Sequence, residues 1–144
     1  MTRLTLSLIT LLLAASACGG DRERNEAVLL LDRLDQLDTP NASDRNDRIE
    51  SLATLPIATP EVAAVRDHCV RMHRALLTAD ETSAGLRGAL NDLPQGQEPT
   101  GPTKRALDQA LELSNRALAQ ARAEREPCQS GTAALRTRFA VRRH

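Results

Sequence analysis

The chain contains one aromatic residue, Phe139, and has neither tryptophan nor tyrosine. β-Sandwiches and barrels draw their cores from aromatic and β-branched side chains, whereas α-helices pack closely through leucine and alanine. The core of this protein must therefore be built mainly from Leu, Ala, Val and Ile. This composition predicts an all-α fold.

Apolar residues recur at helical spacing in four segments of the chain. A first helix is predicted over residues 22–38, and a short second helix over residues 44–55. Thr59-Pro60-Glu61 then supplies an N-cap, a proline at the first helical position and an acid in the first turn. These signals predict a long third helix that runs to about residue 92.

A fourth helix is predicted after a loop over residues 94–102 that is rich in proline and glycine. It spans residues 103–125 and is expected to end before Pro127, because the residue that precedes a proline avoids the helical region. Residues 129–144 then form a basic tail, whose apolar spacing fits either a helix or a strand. The tail could bind anionic lipid or cell-wall polymer, or rest against the acidic first two helices, and the second interpretation is preferred.

The third and fourth helices carry matching inward stripes and are predicted to form an antiparallel hairpin. If the chain reverses near residue 98, residues that lie level across the hairpin have numbers with a constant sum. The residue numbers of Ser83 and Ser114 have the same sum as those of Leu86 and Leu111. The numbers of Cys69 and Cys128 also have this sum, so the two cysteines should lie level. Helix axes ~9 Å apart leave ~4.4 Å between facing Cα atoms, at the edge of the disulfide range. We therefore predict a disulfide between Cys69 and Cys128.

The N-terminus has the anatomy of an export signal. Arg3 precedes an uncharged run over residues 4–17 that is rich in leucine and alanine, and Ala15-Ser16-Ala17 stands before Cys18. A helix of about 14 residues spans ~21 Å, short of the ~30 Å hydrocarbon core of a bilayer. This segment resembles the N-terminus of a bacterial lipoprotein precursor, in which the cysteine thiol is acylated and becomes the new N-terminus.

The resemblance implies a signal peptide over residues 1–17, a lipid-anchored linker over residues 18–22 and lipid attachment at Cys18. It also implies anchoring in a membrane, and Gly19 implies an outer membrane with the protein facing the periplasm. The alternative is that an ordinary signal peptidase cuts after Ala17 and leaves a secreted soluble form. The cysteine count favours lipidation, because Cys69 and Cys128 then remain as an even pair in an oxidising compartment.

A second use of the cysteines is a metal-binding or redox accessory site formed by Cys69, His73 and Cys128. Cys69 and His73 lie one helical turn apart, and thiolate and imidazole are ligands for zinc and copper. Two cysteines and one histidine are few ligands, and the chain has no C-x-x-C motif. The disulfide is therefore preferred over the metal site, and no cofactor is expected.

Catalytic motifs are absent from the sequence. There is no glycine-rich phosphate loop, no H-E-x-x-H and no C-x-x-C-H, and Ser83 and Ser114 fall on the predicted hairpin seam. The 19 basic residues balance 19 acidic residues, so no overall field attracts nucleic acid. We therefore expect a non-enzymatic protein without a small-molecule substrate.

These observations together predict a small antiparallel helical bundle over residues 23–128, built on the long hairpin. The two shorter helices are expected to pack against the cysteine end of that hairpin. Function follows by elimination: a lipid-anchored helical domain in the cell envelope is expected to bind another envelope protein, as an adaptor, assembly factor or structural element.

Overall fold

A computed structural model describes residues 17–37, 44–94 and 98–141, with side chains described from residue 20 onward. Four helices lie within these ranges: α1 spans Ala17–Leu37, α2 spans Arg45–Ala53, α3 spans Pro60–Asn91 and α4 spans Gly101–Phe139. The described ranges contain no strand. The predicted all-α fold is confirmed.

Helix α1 begins earlier than its sequence pattern suggested. The backbone is helical from Ala17, so the five residues predicted as a linker, 18–22, are part of α1. Gly19 and Gly20 each disfavour a helix by about 1 kcal/mol relative to alanine, which is why the pattern placed the boundary at Arg22. The predicted signal peptide lies outside the described residues except for Ala17.

Helix α3 begins where its start signals predicted. Thr59 has an extended backbone, with φ −71° and ψ 119°, and Pro60 occupies the first helical position. The helix continues for 32 residues and ends at Asn91. At 1.5 Å per residue its length is ~48 Å.

Helix α4 continues through Pro127 to Phe139, so the expectation that it ends before Pro127 was wrong. Proline removes one backbone hydrogen bond and costs a helix interior ~3 kcal/mol. Packing after the proline offsets this cost, because Cys128 and Leu135 are buried in the core and Phe139 packs against it. Residue 128 is therefore no boundary between bundle and tail, and residues 129–139 are helical.

The buried core lies at the cysteine end of the hairpin, where all four helices meet. Helices α1 and α2 contribute Ala27, Leu30, Leu31, Leu37, Ile49 and Leu52. Leu55 comes from the segment before α3, and the two long helices contribute Val62, Cys69, Val70, Cys128 and Leu135. Both shorter helices thus pack at the end that the sequence predicted.

Beyond this core, α3 and α4 pack mainly on each other. We call residues 76–91 of α3 and 101–121 of α4 the arm. Small buried side chains line the seam between α3 and α4 in the arm and directly next to it: Ala75, Ala79, Ser114, Ala117 and Ala121. Small side chains let two helices approach closely, but they leave little apolar surface to bury.

The predicted register of the hairpin is confirmed at two points. The hydroxyl oxygens of Ser83 and Ser114 lie 3.3 Å apart, and Cys69 is joined to Cys128. We call the cysteine end of the hairpin its base. There, a Cβ atom placed on Gly131 would lie 2.6 Å from Cγ2 of Val65. Glycine is therefore needed at this crossing, where the α4 backbone approaches α3.

Helix α1 runs from the base of the bundle toward the arm. Near its start, Glu23 accepts hydrogen bonds from Arg138 at 2.6 and 2.9 Å, close to the end of α4. Leu34, near its other end, lines the same cavity as Met72 of α3. Cys18 therefore lies at the base, at the opposite end of the molecule from the tip of the arm.

Candidate functional site

The disulfide between Cys69 and Cys128 ties α3 to α4 at the heart of the core. The two Cα atoms are 4.8 Å apart, and both cysteines are buried. The bond joins positions 59 residues apart, and the chain-entropy estimate for such a loop is ~4 kcal/mol of stabilisation. This is a large share of the ~5–15 kcal/mol that stabilises an ordinary domain.

The alternative metal site at Cys69, His73 and Cys128 loses its thiolates to this bond. His73 does lie near Cys128, since both line one cavity between α1 and the hairpin. A disulfide sulfur is not the thiolate that zinc or copper takes as a ligand. Within the described parts of the chain, no three His, Cys, Asp or Glu residues are grouped so that they could hold a metal ion.

An ionic cluster joins α3 to α4 close to the disulfide. Arg71 donates through Nε to Oε1 of Glu124 at 2.7 Å, and His68 Nδ1 lies 2.6 Å from Oε2 of Glu124. Hydrogen bonds from Arg71 first and His68 second lower the pKa of Glu124 to about 2. The hairpin register, which sets Glu124 nearly level with Arg71, was the signal that could have found the cluster.

A buried carboxylate joins α1 to the start of α3. Glu26 is 8% exposed, and its Oε2 accepts a hydrogen bond of 2.8 Å from the backbone N–H of Thr59. Hydrogen bonds from the hydroxyl and backbone of Thr59 and from Arg22 lower the pKa of Glu26 to about 2, although burial acts in the opposite direction. No local sequence motif announces this contact, because Glu26 and Thr59 are far apart in the chain.

The arginines of the predicted tail bind α1. Arg136 donates to Oδ1 of Asp35 at 2.6 Å, and Arg138 bonds both carboxylate oxygens of Glu23. For these two residues the structure agrees with the preferred interpretation, in which the tail rests against the acidic first helix. Arg142 and Arg143 lie outside the described residues.

A cavity of about 380 Å³ opens between α1 and the hairpin. Its lining includes Leu34 and Asp35 of α1, Met72 and His73 of α3, and Arg136 of α4. The most polar part of this lining is occupied by the ion pair between Asp35 and Arg136. The cavity therefore marks where α1 covers the seam between α3 and α4.

The same seam continues uncovered where the arm begins, as a groove of about 370 Å³ between α3 and α4. Its floor consists of Met72, Leu76, Leu118 and Ala121, and its α4 rim carries basic and polar side chains, namely Arg122, Arg125 and Gln129. Met72 lines both this groove and the cavity beneath α1. We call this the arm groove.

Leucines remain exposed on both sides of the arm. Leu76 and Leu118 in the arm groove are each 36% exposed, and nearer the tip Leu90 and Leu111 are 51% and 53% exposed. The opposite side has a cleft of about 530 Å³ whose lining includes Leu113, together with Thr78, Arg116 and Gln120. The arm is thus the part of the described structure where large apolar side chains contact solvent.

The serines of the hairpin seam are occupied by each other. Ser83 and Ser114 are hydrogen-bonded, and Ser114 is buried. The two hydroxyls are therefore engaged with each other across the hairpin. No helix within the described ranges is long and apolar enough to cross a membrane. Cys18 belongs to the first turn of α1, and its side chain lies outside the described residues.

Comparison of the chain with protein-family models, with curated proteins and with solved structures finds no match.

Proposed function

We propose that this protein is exported, lipid-anchored through Cys18 and held at the cell envelope, where its arm binds another envelope protein. The proposed role is that of a non-enzymatic adaptor, assembly factor or structural element. It requires no cofactor, no nucleic acid and no small-molecule substrate. An outer-membrane anchor facing the periplasm is the preferred location, and a secreted soluble form is the alternative.

The observation that carries the proposed binding role is the exposure of leucines along the arm. A leucine side chain contributes roughly 1.5–3 kcal/mol when it is fully buried, and about half of this contribution is unused at Leu90 and Leu111, which are 51% and 53% exposed. Clustered apolar side chains that stay in water typically mark a protein or membrane contact. The arm therefore has the surface expected of a protein that works by association.

The position of Cys18 supports a protein partner over the membrane. An anchor at the base would place the bilayer at the end of the molecule opposite the tip of the arm. Because α3 is ~48 Å long, the exposed leucines near that tip would project into the compartment. Two acyl chains at ~0.8 kcal/mol per buried methylene suffice for stable anchoring, so the arm need not contact lipid.

Fractionation of cells that express the full chain tests the anchor. We expect the wild-type protein in the membrane fraction and the Cys18→Ala variant in the soluble envelope fraction, with an unchanged helical circular dichroism spectrum. Metabolic labelling with a fatty-acid analogue should mark the wild-type protein alone. A variant that stays membrane-bound, or a wild-type protein without label, would contradict lipid anchoring.

Photocrosslinking in the same cells tests the binding role. A photoreactive amino acid at Leu111, on the arm, should give an adduct with another envelope protein. The matched position is Arg24, which is exposed on α1 at the base and should give none. Adducts from both positions, or from neither, would contradict a binding role for the arm.

A further inference from the structure

The arm groove is the outward continuation of the surface on which α1 lies. At the cysteine end of the hairpin, α1 packs against α3 and α4, and Leu34 and Met72 line the same cavity. Beyond Met72 the seam continues with Leu76, Leu118 and Ala121, and no described helix covers it. The groove is therefore shaped for a further helix placed in line with α1.

We propose that the arm groove binds an amphipathic helix of a partner protein, with acidic residues flanking the apolar stripe of that helix. The inference rests on the proposed function, because it names the surface and the chemistry of the partner that the arm would bind. A helix laid into an apolar groove is a common mode of peptide recognition, in which side chains at i, i+3, i+4 and i+7 provide the anchors.

The floor of the groove matches the apolar stripe of such a helix. Met72 and Leu76 lie one turn apart on α3, and Leu118 and Ala121 lie one turn apart on α4. Ala121 is buried, while Leu76 and Leu118 stand at either side with a third of their surface exposed. An apolar side chain seated between the two leucines would contact both helices, and methionine adapts to varied partner shapes.

The charge of the rim indicates the acidic character of the partner. Arg122 and Arg125 are exposed, and neither makes an ion pair or side-chain hydrogen bond with any other described residue. Three other arginines of the hairpin are held in ion pairs, Arg71 with Glu124, Arg74 with Glu50 and Arg116 with Glu112, whereas Arg87 and Arg105 nearer the tip are in none with a described residue. Because neither Arg122 nor Arg125 is held in an ion pair, both can meet an approaching carboxylate, and together they disfavour a basic partner.

A second copy of the chain fits this rim less well. Of the four acids on the arm, Asp80, Asp108 and Glu112 are engaged with Arg45, Lys104 and Arg116, and only Glu81 is in no ion pair with a described residue. A second arm would have to break such pairs before these carboxylates could meet the rim of the first. A membrane surface is disfavoured as the partner, because an anchor at Cys18 would place the bilayer at the end of the molecule opposite the tip of the arm.

Two designed peptides test the proposal with purified protein that has been exported so that its disulfide forms. Both are helical, about eighteen residues long and carry leucine at i, i+3, i+4 and i+7, as groove-binding helices do. One has glutamate flanking the stripe and the other has lysine at the same positions. Fluorescence anisotropy should show the glutamate peptide binding roughly tenfold or more tightly, with a preference that falls as salt is raised.

Charge reversal on the rim should invert this preference. In an Arg122→Glu/Arg125→Glu double variant the lysine peptide should become the tighter ligand. Arg116→Glu, on the opposite side of the hairpin, is the matched control and should leave the order of the two affinities unchanged.

Leu118→Gln should weaken the binding of both peptides roughly tenfold. Leu113→Gln, which changes a similarly exposed leucine outside the groove, should not weaken it. Circular dichroism of each variant checks that the fold is retained.

Several results would overturn the proposal. These are an absence of binding by both peptides, equal binding of both, and a preference that survives reversal of Arg122 and Arg125. Self-association that Leu118→Gln abolishes would instead assign the groove to a second copy. Binding of Cys18→Ala protein to anionic vesicles through Arg122 and Arg125 would assign it to the membrane. If the groove fails while Leu111 still gives an envelope-protein adduct, the proposed function stands and only the assignment of this groove is lost.

Discussion

Glu26 accepts a hydrogen bond of 2.8 Å from the backbone N–H of Thr59, so a carboxylate of α1 serves the N-terminus of α3. Thr59 is the N-cap residue of α3, yet its own side chain makes no capping hydrogen bond. The first N–H groups of a helix lack partners within it and carry partial positive charge. A buried anion at this position therefore both joins the two helices and stabilises the start of α3.

Replacement of Glu26 by glutamine should destabilise the bundle. Glutamine keeps the shape but loses the charge, and a hydrogen bond to a charged group contributes about 1.5–3 kcal/mol. The free energy of unfolding in urea should fall by roughly that amount. The control is Glu61→Gln, since Glu61 is exposed in the first turn of α3 and has no comparable partner contact among the described residues. Equal losses in the two variants would contradict the role of Glu26.

Acidification should weaken the protein through the same group. The folded pKa of Glu26 is about 2, below its ordinary value of 4.5, so its ionised form stabilises the fold above about pH 4.5. This stabilisation is lost as the pH falls from about 4.5 toward 2. Glu124 has a lowered pKa with the same sign, so it acts over the same range. Thermal unfolding from pH 6 to pH 2 should show a shallower decline for Glu26→Gln than for wild type.

Gly131→Ala should destabilise the crossing of α3 and α4. The new Cβ would lie 2.6 Å from Cγ2 and 3.2 Å from Cγ1 of Val65, and valine has little rotational freedom at χ1. Overpacking of this kind typically costs about 1–3 kcal/mol. The added Val65→Ala change should restore much of the loss by removing both methyl groups. This recovery distinguishes a steric clash from a general intolerance of position 131.

Gly88→Ala is the matched substitution in open space. No atom lies within 4 Å of a Cβ placed on Gly88, and the residue is inside α3. The gain in helix propensity should stabilise the protein by up to about 1 kcal/mol. In chemical denaturation the free energy of unfolding should rise for Gly88→Ala and fall for Gly131→Ala. Changes of the same sign in both variants would contradict the packing described for the hairpin.

The Cys69→Ser/Cys128→Ser double variant should lose about 4 kcal/mol of stability relative to the oxidised wild type. Non-reducing peptide mapping of the wild-type protein should recover the two cysteines in one bridged fragment. Chelators should leave the melting temperature of the oxidised protein unchanged, because the sulfurs are bonded to each other. Recovery of both cysteines as free thiols from exported protein would contradict the disulfide and reopen the metal site at Cys69, His73 and Cys128.

The hairpin was predictable because its signals are local and repeat at a fixed period. Thr59, Pro60 and Glu61 mark the start of α3 through backbone chemistry that acts within one turn. The stripes on α3 and α4 set which residues lie level, so that Ser83 meets Ser114 and the register extends to the two cysteines. Periodicity, caps and composition thus suffice for the helix content and for the pairing of the two long helices.

Contacts between distant segments could not be predicted in the same way. Helix α4 continues past Pro127 because Leu135 gains burial in the core, a benefit that exists only once α1 is in place. The partner of Glu26 and the partners of Arg136 and Arg138 depend equally on how α1 lies against the hairpin. The sequence by itself determined the helices and the hairpin register, because these arise from short-range sterics and hydrogen bonding. Only the tertiary structure decided where α4 ends, which charges are paired and which part of the seam stays open, because these depend on burial shared by residues far apart in the chain.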